Sequence, residues 1–258
     1  FLKHAKANQL NEQQLLARAE RLPGSFRAKL FLTLMVKLMN SYQARLTARG
    51  EIDFEDMILK AAGAIVSKRF EHNYKLILID EFQDISQDRA LLIEAMLDQK
   101  PDCKLFAVGD DWQSIYRFAG ADISLFTGFE EHFGRTAICY LTRTFRSNQG
   151  ITDIATRFVT QNEAQFKKNV QANDPTSANV LTIRRYKNDA ELRSECEACL
   201  QAISTAVHQG QMATVFLLGR YRHLRPDCID EWATRYSNLT ISYRTIHSSK
   251  GMEADYVI

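Results

Sequence analysis

Lys75-Leu76-Ile77-Leu78-Ile79-Asp80-Glu81-Phe82-Gln83-Asp84 is apolar over four consecutive positions and then abruptly acidic. Unbroken apolar runs of this length fit a strand buried on both faces, as in a parallel sheet covered by helices. In open α/β sheets the ligand crevice lies outside the carboxyl ends of the strands. Asp80 and Glu81 therefore stand where one acid can hold a metal ion and its neighbour can handle a proton. The same pair also fits a strand that merely exits into solvent.

Beyond this stretch, the 258 residues suit one large or two modest domains, and 45% apolar with 25% charged residues is the composition of an ordinary soluble globular protein. Net charge is +2, but residues 1–70 carry 12 Lys and Arg against 6 Asp and Glu. A basic flank serves a polyanion or is a solvated helix surface. Five scattered cysteines suit a reducing compartment. Cys196 and Cys199 form a C-x-x-C pair with no second pair at zinc spacing, so no metal is expected there. No signal peptide and no apolar run near 18 residues is seen, so no membrane span is expected, and the scattered cysteines suit a cytoplasmic location. The chain opens on Phe1 and stops at Val257-Ile258 inside an apparent strand, as expected of an internal fragment.

Residues 1–70 read as all-helical. Phe26, Leu30, Leu34, Leu38, Tyr42 and Leu46 recur every four residues as one apolar stripe. Gly50 is a helix stop and Asp53 the cap of a further helix. From residue 75 short strands alternate with helices, which argues for parallel sheets. Strands are expected near 75–80, 104–109, 136–141, 179–184, 213–219, 239–244 and 255–258. Helices are expected near 87–98, 123–132, 149–161, 189–208 and 222–236, and residues 162–178 as a loop.

Three more stretches carry chemistry. Val108-Gly109-Asp110-Asp111-Trp112-Gln113-Ser114-Ile115-Tyr116-Arg117-Phe118-Ala119-Gly120 follows the second strand. Gln113 can hydrogen-bond a phosphate or water without adding charge. Tyr116 and Phe118 read equally as core aromatics or as faces for unpaired bases. Thr142-Arg143-Thr144-Phe145-Arg146-Ser147-Asn148 places Arg146 just before a helix cap at Ser147 or Asn148, where its fork can reach a terminal phosphate. Thr245-Ile246-His247-Ser248-Ser249-Lys250-Gly251-Met252-Glu253 sets hydroxyls, an imidazole, a lysine and a glycine at a strand-to-helix junction, a setting that suits a nucleic-acid backbone.

In this order the four stretches resemble motifs II, III, IV and V of the superfamily 1 DNA helicases of the UvrD/Rep type, on their bacterial DNA helicase IV branch. The resemblance spans most of the chain, loosely at 1–25 and 162–178. It implies an α/β fold of tandem RecA-like parallel-sheet domains, of the P-loop NTPase type, with an N-terminal helical subdomain. Residues 1–70 would be the helical insertion and its return, 71–148 the later part of the first RecA-like domain, and 149–258 most of the second. It implies ATP and Mg2+ as cofactors, single-stranded and duplex DNA as partners, and 3′→5′ unwinding in repair or recombination.

Residue by residue, the resemblance makes Asp80 a magnesium ligand through water, with Glu81 beside it as the general base. Gln83 and Asp84 complete motif II. Asp110 and Gln113 link the γ-phosphate to motif III, and Arg146 stabilises the transferring phosphoryl group. Gly251 and Glu253 lie on the nucleotide side of motif V, Glu253 near the ribose. Tyr116 and Phe118 meet bases, while Thr245, His247, Ser248 and Lys250 contact DNA. Arg220, leaving a strand, touches a phosphate.

The chain departs from the family pattern in several places. No glycine is followed by lysine, so no G-x-x-x-x-G-K-[ST] phosphate loop occurs, and no motif VI follows. About a hundred residues separate Arg146 from Thr245, too few for the large helical insertion of UvrD and Rep. Phe118 and Ala119 stand where tryptophan and arginine are commoner. The chain alone is therefore expected to be inactive, with an apolar edge on its first sheet. A helicase subunit of a nuclease-helicase, or an inactive helicase-like binding module, are the alternatives.

Overall fold

The computed structural model describes residues 1–21, 24–163, 165–177 and 180–258. They form two compact units: Phe1–Tyr140 with Asn162–Lys167, and Leu141–Gln161 with Lys168–Ile258. Among the described residues no helix is long and apolar enough to cross a membrane.

The first unit begins with four helices, Leu2–Ala7 (α1), Glu12–Glu20 (α2), Ser25–Arg49 (α3) and Phe54–Val66 (α4). Asp53 caps α4 by accepting the Asp56 N–H, and Gly50 ends α3 in the left-handed conformation at φ 65°. Lys6 ties α1 to α4. Its Nζ lies 2.6 Å from Asp53 Oδ2 and 2.7 Å from Asp56 Oδ1, all three side chains being largely buried. Burial opposes the Asp56 charge, but the hydrogen bonds from Lys6 and Gln43 outweigh it and hold the carboxyl below its usual range.

The α3 stripe departs from expectation. Phe26, Leu30, Leu34, Leu38 and Tyr42 are exposed, from 37% at Tyr42 to 78% at Phe26. The covered face runs through Leu32, Met35, Val36, Met39, Gln43 and Leu46, with Val36 packed against Leu10 and Leu15. A spacing of four overshoots the 3.6-residue turn by about 40° each time, so such a row drifts around the helix.

Leu76–Ile79 (β1), Gln87–Gln99 (α5) and Lys104–Ala107 (β2) come next, and the two strands pair in parallel from Leu76↔Lys104 to Ile79↔Ala107. Ser124–Thr127 (α6) and Phe129–Phe133 (α7) replace the single helix expected at 123–132, which breaks at Gly128. Ile79, Leu105 and Ala107 face a core of Phe82, Ile85, Ala90, Ile93 and Leu125. The opposite face is open: Leu76, Leu78 and Phe106 are all more than half exposed. Burial of β1 on both faces is thus not what the structure shows, because this sheet is packed on one side only.

In the second unit, Arg143–Asn148 (β3), Gln149–Val159 (α8) and Gln171–Asp174 (β4) precede Asp189–Ala206 (α9) and Ala213–Gly219 (β5). Ile229–Arg235 (α10), Leu239–Thr245 (β6) and Tyr256–Val257 (β7) complete it. β3 pairs with β4 in parallel, with an irregular register between Thr144 and Asn148; β5 lies between β6 and β7, parallel to both. Leu200, Val215, Leu217, Trp232 and Leu239 form the core.

Several element expectations are revised by the structure. The strand expected at 136–141 lies instead at 143–148, so the Thr142–Asn148 run is itself extended. Part of the 162–178 loop is strand β4. The helix expected at 222–236 is a 3₁₀ turn at Arg222–Leu224 followed by α10, interrupted around Pro226. Of the strand expected at 179–184, Asn179 lies outside the described residues and 180–184 is irregular; in the loop, Ala164 and Ala178 also lie outside them.

Candidate functional site at the strand ends

Asp80 and Glu81 leave β1 at its carboxyl end, and both are exposed. Glu81 holds a left-handed backbone, φ 51° and ψ 41°. That conformation costs a non-glycine residue about 1–3 kcal/mol and recurs at functional sites. Asp80 Oδ1 accepts the Glu81 N–H at 2.8 Å and steadies the turn.

Gln83 organises the rest of this strand end. It is 1% exposed. Its Nε2 donates to Glu81 Oε2 at 2.6 Å, while its Oε1 accepts the Asp110 N–H at 2.8 Å. One buried amide thus joins the segment after β1 to the segment after β2. Backbone bonds run alongside, from Phe82 N–H to Val108 O at 2.9 Å and from Val108 N–H to Ile79 O at 2.8 Å. Gly109 is required for this approach, since a Cβ there would sit 2.6 Å from Gln83 Oε1 and 2.7 Å from the Phe126 ring. In the next turn Gln113 Nε2 donates to Asp110 Oδ2 at 2.8 Å. Asp80, Glu81, Gln83, Asp110 and Gln113 are therefore brought together in one unit, with Gln83 buried rather than turned to solvent.

Tyr116 and Phe118 come next, with ring centroids 6.1 Å apart. Phe118 is 71% exposed, so the core reading fails for it, whereas Tyr116 is half-buried. Sequence reading missed two other contacts of this turn. Asp111 is fully buried and accepts the Phe166 N–H at 2.8 Å, and Trp112 Nε1 donates to Phe166 O at 2.9 Å. Gly109 was legible as a lone glycine after a strand; no local signal marks residue 166.

The second unit joins Arg146 to Glu253, Nε to Oε1 at 2.7 Å, with both side chains about half exposed or more. Asn148 caps α8 by accepting the Ile151 N–H at 3.0 Å. At the end of β6, Thr245 and Ser248 form a reciprocal capping box around Ile246–Ser249. Their hydroxyls are thus committed to local bonds, and the expected helix is one 3₁₀ turn. His247 and Lys250 lie on that turn, both half-buried, while Ile246 and Ser248 beside His247 are exposed, and Gly251 leaves it at φ 77°. Register pairs Gly219 with Thr245, so exposed Arg220 leaves the sheet beside the Thr245 turn.

Among the described residues no cluster of three His, Cys, Asp or Glu side chains is arranged to hold a metal. Asp80 and Glu81 nonetheless offer the hard oxygen ligands that magnesium takes alongside substrate phosphates.

Comparison with known proteins shows the family. The UvrD/REP helicase N-terminal domain matches residues 1–134. DNA helicase IV of Escherichia coli is 39% identical over 227 residues, 88% of this chain and 32% of that protein. The ATP-dependent DNA helicase srs2 of Schizosaccharomyces pombe is 33% identical over 144 residues, 55% of this chain and 16% of its own length. The ATP-dependent DNA helicase UvrD2 of Mycobacterium bovis is 33% identical over 129 residues, 46% of this chain and 18% of its own length. The chain spans about a third of the length of the first relative and under a fifth of the other two. With that match over half its length, and the acidic strand end and its buried glutamine in place, the chain belongs to the UvrD/Rep family of DNA helicases.

Proposed function

We propose that this chain is the portion of an ATP-dependent DNA helicase that positions the attacking water and grips single-stranded DNA. The observation that carries the reading is the buried Gln83 amide, which holds the Glu81 carboxylate by one oxygen and the Asp110 backbone by its N–H. A carboxylate held in one orientation at an exposed strand end is what a general base needs. Glu81 takes a proton from water as the water oxygen attacks the terminal phosphorus of ATP and the bond to the bridging oxygen breaks, releasing ADP and phosphate. Asp110 and Gln113, already bonded to each other, carry the state of that phosphate into the Tyr116 and Phe118 turn. Arg146 offsets charge on the transferring group, and its ion pair with Glu253 holds it until nucleotide arrives. Magnesium would be held by Asp80 with Glu81 beside it, and would offset phosphate charge.

Tyr116 and Phe118 stack unpaired bases in this reading. Arg220, Thr245, His247, Ser248 and Lys250 follow the strand's backbone, Thr245 and Ser248 chiefly by shaping the turn. Residues 1–70 act as the helical insertion, 71–148 as part of the first RecA-like domain and 149–258 as part of the second. Movement 3′→5′, work in repair or recombination and a cytoplasmic location rest on the family resemblance. The 258 residues alone contain no phosphate-loop pattern to cradle a triphosphate. Titration of the isolated chain with magnesium-ATP is expected to show millimolar affinity or none, and micromolar binding would refute that placement of the nucleotide.

Glu81→Gln in the full-length protein tests the chemistry. ATP binding should persist while DNA-stimulated phosphate release falls about 10²–10⁴-fold. Turnover near wild type would remove Glu81 from the role.

A further inference from the structure

The segment after β5 reads Gly219-Arg220-Tyr221-Arg222-His223-Leu224-Arg225, with three arginines, a histidine and a tyrosine and no carboxylate. Arg225 is tied to Asp230 at 2.9 Å. Among the described residues Arg220 and Arg222 enter no ion pair. The Tyr221 and His223 rings lie stacked, centroids 5.3 Å apart and planes within 9°, and the Arg220 guanidinium sits 6.0 Å from the Tyr221 ring centre. Both rings are exposed, Tyr221 to 55%.

The backbone that carries this stack is tied to the neighbouring strand. Tyr243 on β6 donates its hydroxyl to Tyr221 O at 2.5 Å. Gly219 leaves it room, because a Cβ there would lie 2.0 Å from that hydroxyl oxygen. The 3₁₀ turn Arg222–Leu224 then carries His223 back toward Tyr221. Parallel pairing of β5 with β6 puts this platform at the same carboxyl end as Thr245–Lys250. Flat rings exposed to solvent among cations are what single-stranded nucleic acid recognises, through base stacking and phosphate attraction together.

We propose that Tyr221 and His223 form a base-stacking platform for single-stranded DNA, carried by the second unit and separate in sequence from Tyr116 and Phe118. The proposal rests on the helicase function proposed for the chain. It assigns stacking to a segment in which that function uses only the Arg220 charge.

The test uses the full-length protein and fluorescence anisotropy with two labelled strands of equal length, oligo-dT and an abasic backbone. Wild type should prefer oligo-dT. Tyr221→Ala should weaken oligo-dT binding about 5- to 150-fold, leave the abasic strand and the salt dependence nearly unchanged, and so shrink the preference to what Tyr116 and Phe118 supply. His223→Ala should do the same more weakly, and Tyr221→Phe should keep the preference. If Tyr221→Ala does not fold, Tyr221→Leu keeps the bulk, removes the π-face and carries the same expectation. Unchanged oligo-dT affinity in a folded variant, or equal loss on both strands, would overturn the platform while leaving the helicase reading intact. A wild-type protein that binds no single-stranded DNA would sink the helicase reading instead.

Discussion

The two sets of site residues are built in opposite ways. At the ends of β1 and β2 the chemistry hangs on Gln83, a buried amide bonded on both sides. Around β3 and β6 it hangs on Arg146–Glu253, an ion pair between exposed side chains, and on a capping box that satisfies its own hydroxyls. Buried polar groups cost stability when left unpaired and so lock their neighbours. Exposed ion pairs contribute about 0–1 kcal/mol and exchange partners readily. The first arrangement suits the role of base proposed for Glu81, which must not move, and the second suits the role proposed for Arg146, which would change partner when nucleotide arrives.

That contrast is most vulnerable at Arg146. In the full-length protein, Arg146→Lys should lower DNA-stimulated ATP turnover by as much as about 10³–10⁵-fold, the range for arginines that stabilise phosphoryl transfer. Its melting temperature should stay close to wild type. Wild-type turnover would leave Arg146 as a surface residue only.

Next in size is Gln83→Ala, which should do two things at once. Turnover should fall about 10²-fold through misplacement of Glu81. Stability in urea should drop by about 1–3 kcal/mol, because the Asp110 N–H loses its buried partner. If stability falls while turnover holds, Gln83 is a structural bridge and not a positioning residue. Rescue by Gln83→Glu would argue against the amide's double role, since a carboxylate cannot donate to Glu81.

The smallest expected effect probes the exposed pair from its other partner. Glu253→Gln should change stability by no more than about 1 kcal/mol, and should alter the apparent affinity for ATP more than the maximal turnover. A loss of several kcal/mol on urea unfolding would show that this exposed pair holds the second unit together.

Much of this was open to a reader of the residues alone. Four apolar positions followed by Asp80-Glu81 marked a strand end with acids, and both strand and acids lie where that pattern puts them. Asp53 and Gly50 announced the caps of α4 and α3, because capping chemistry is satisfied within a few residues. The α3 stripe misled for the same reason that caps did not. Which side of a helix is covered depends on what packs there, and Phe26, Leu30, Leu34, Leu38 and Tyr42 face solvent while Leu32, Met35, Val36, Met39 and Leu46 are at least partly covered.

Chemistry of short range was thus written in the residues themselves: the parallel α/β rhythm, the acidic strand end, the caps, and the arginine before a capped helix. Contacts between residues far apart in the chain came only with the folded molecule. Gln83 reaches Asp110, Arg146 reaches Glu253, Phe166 returns to Asp111 and Trp112, and Tyr243 crosses under Gly219 to hold Tyr221. Side-chain amides, guanidinium groups and phenols take whichever partner the packed backbone brings within about 3 Å. No spacing rule within a single stretch encodes which partner that is.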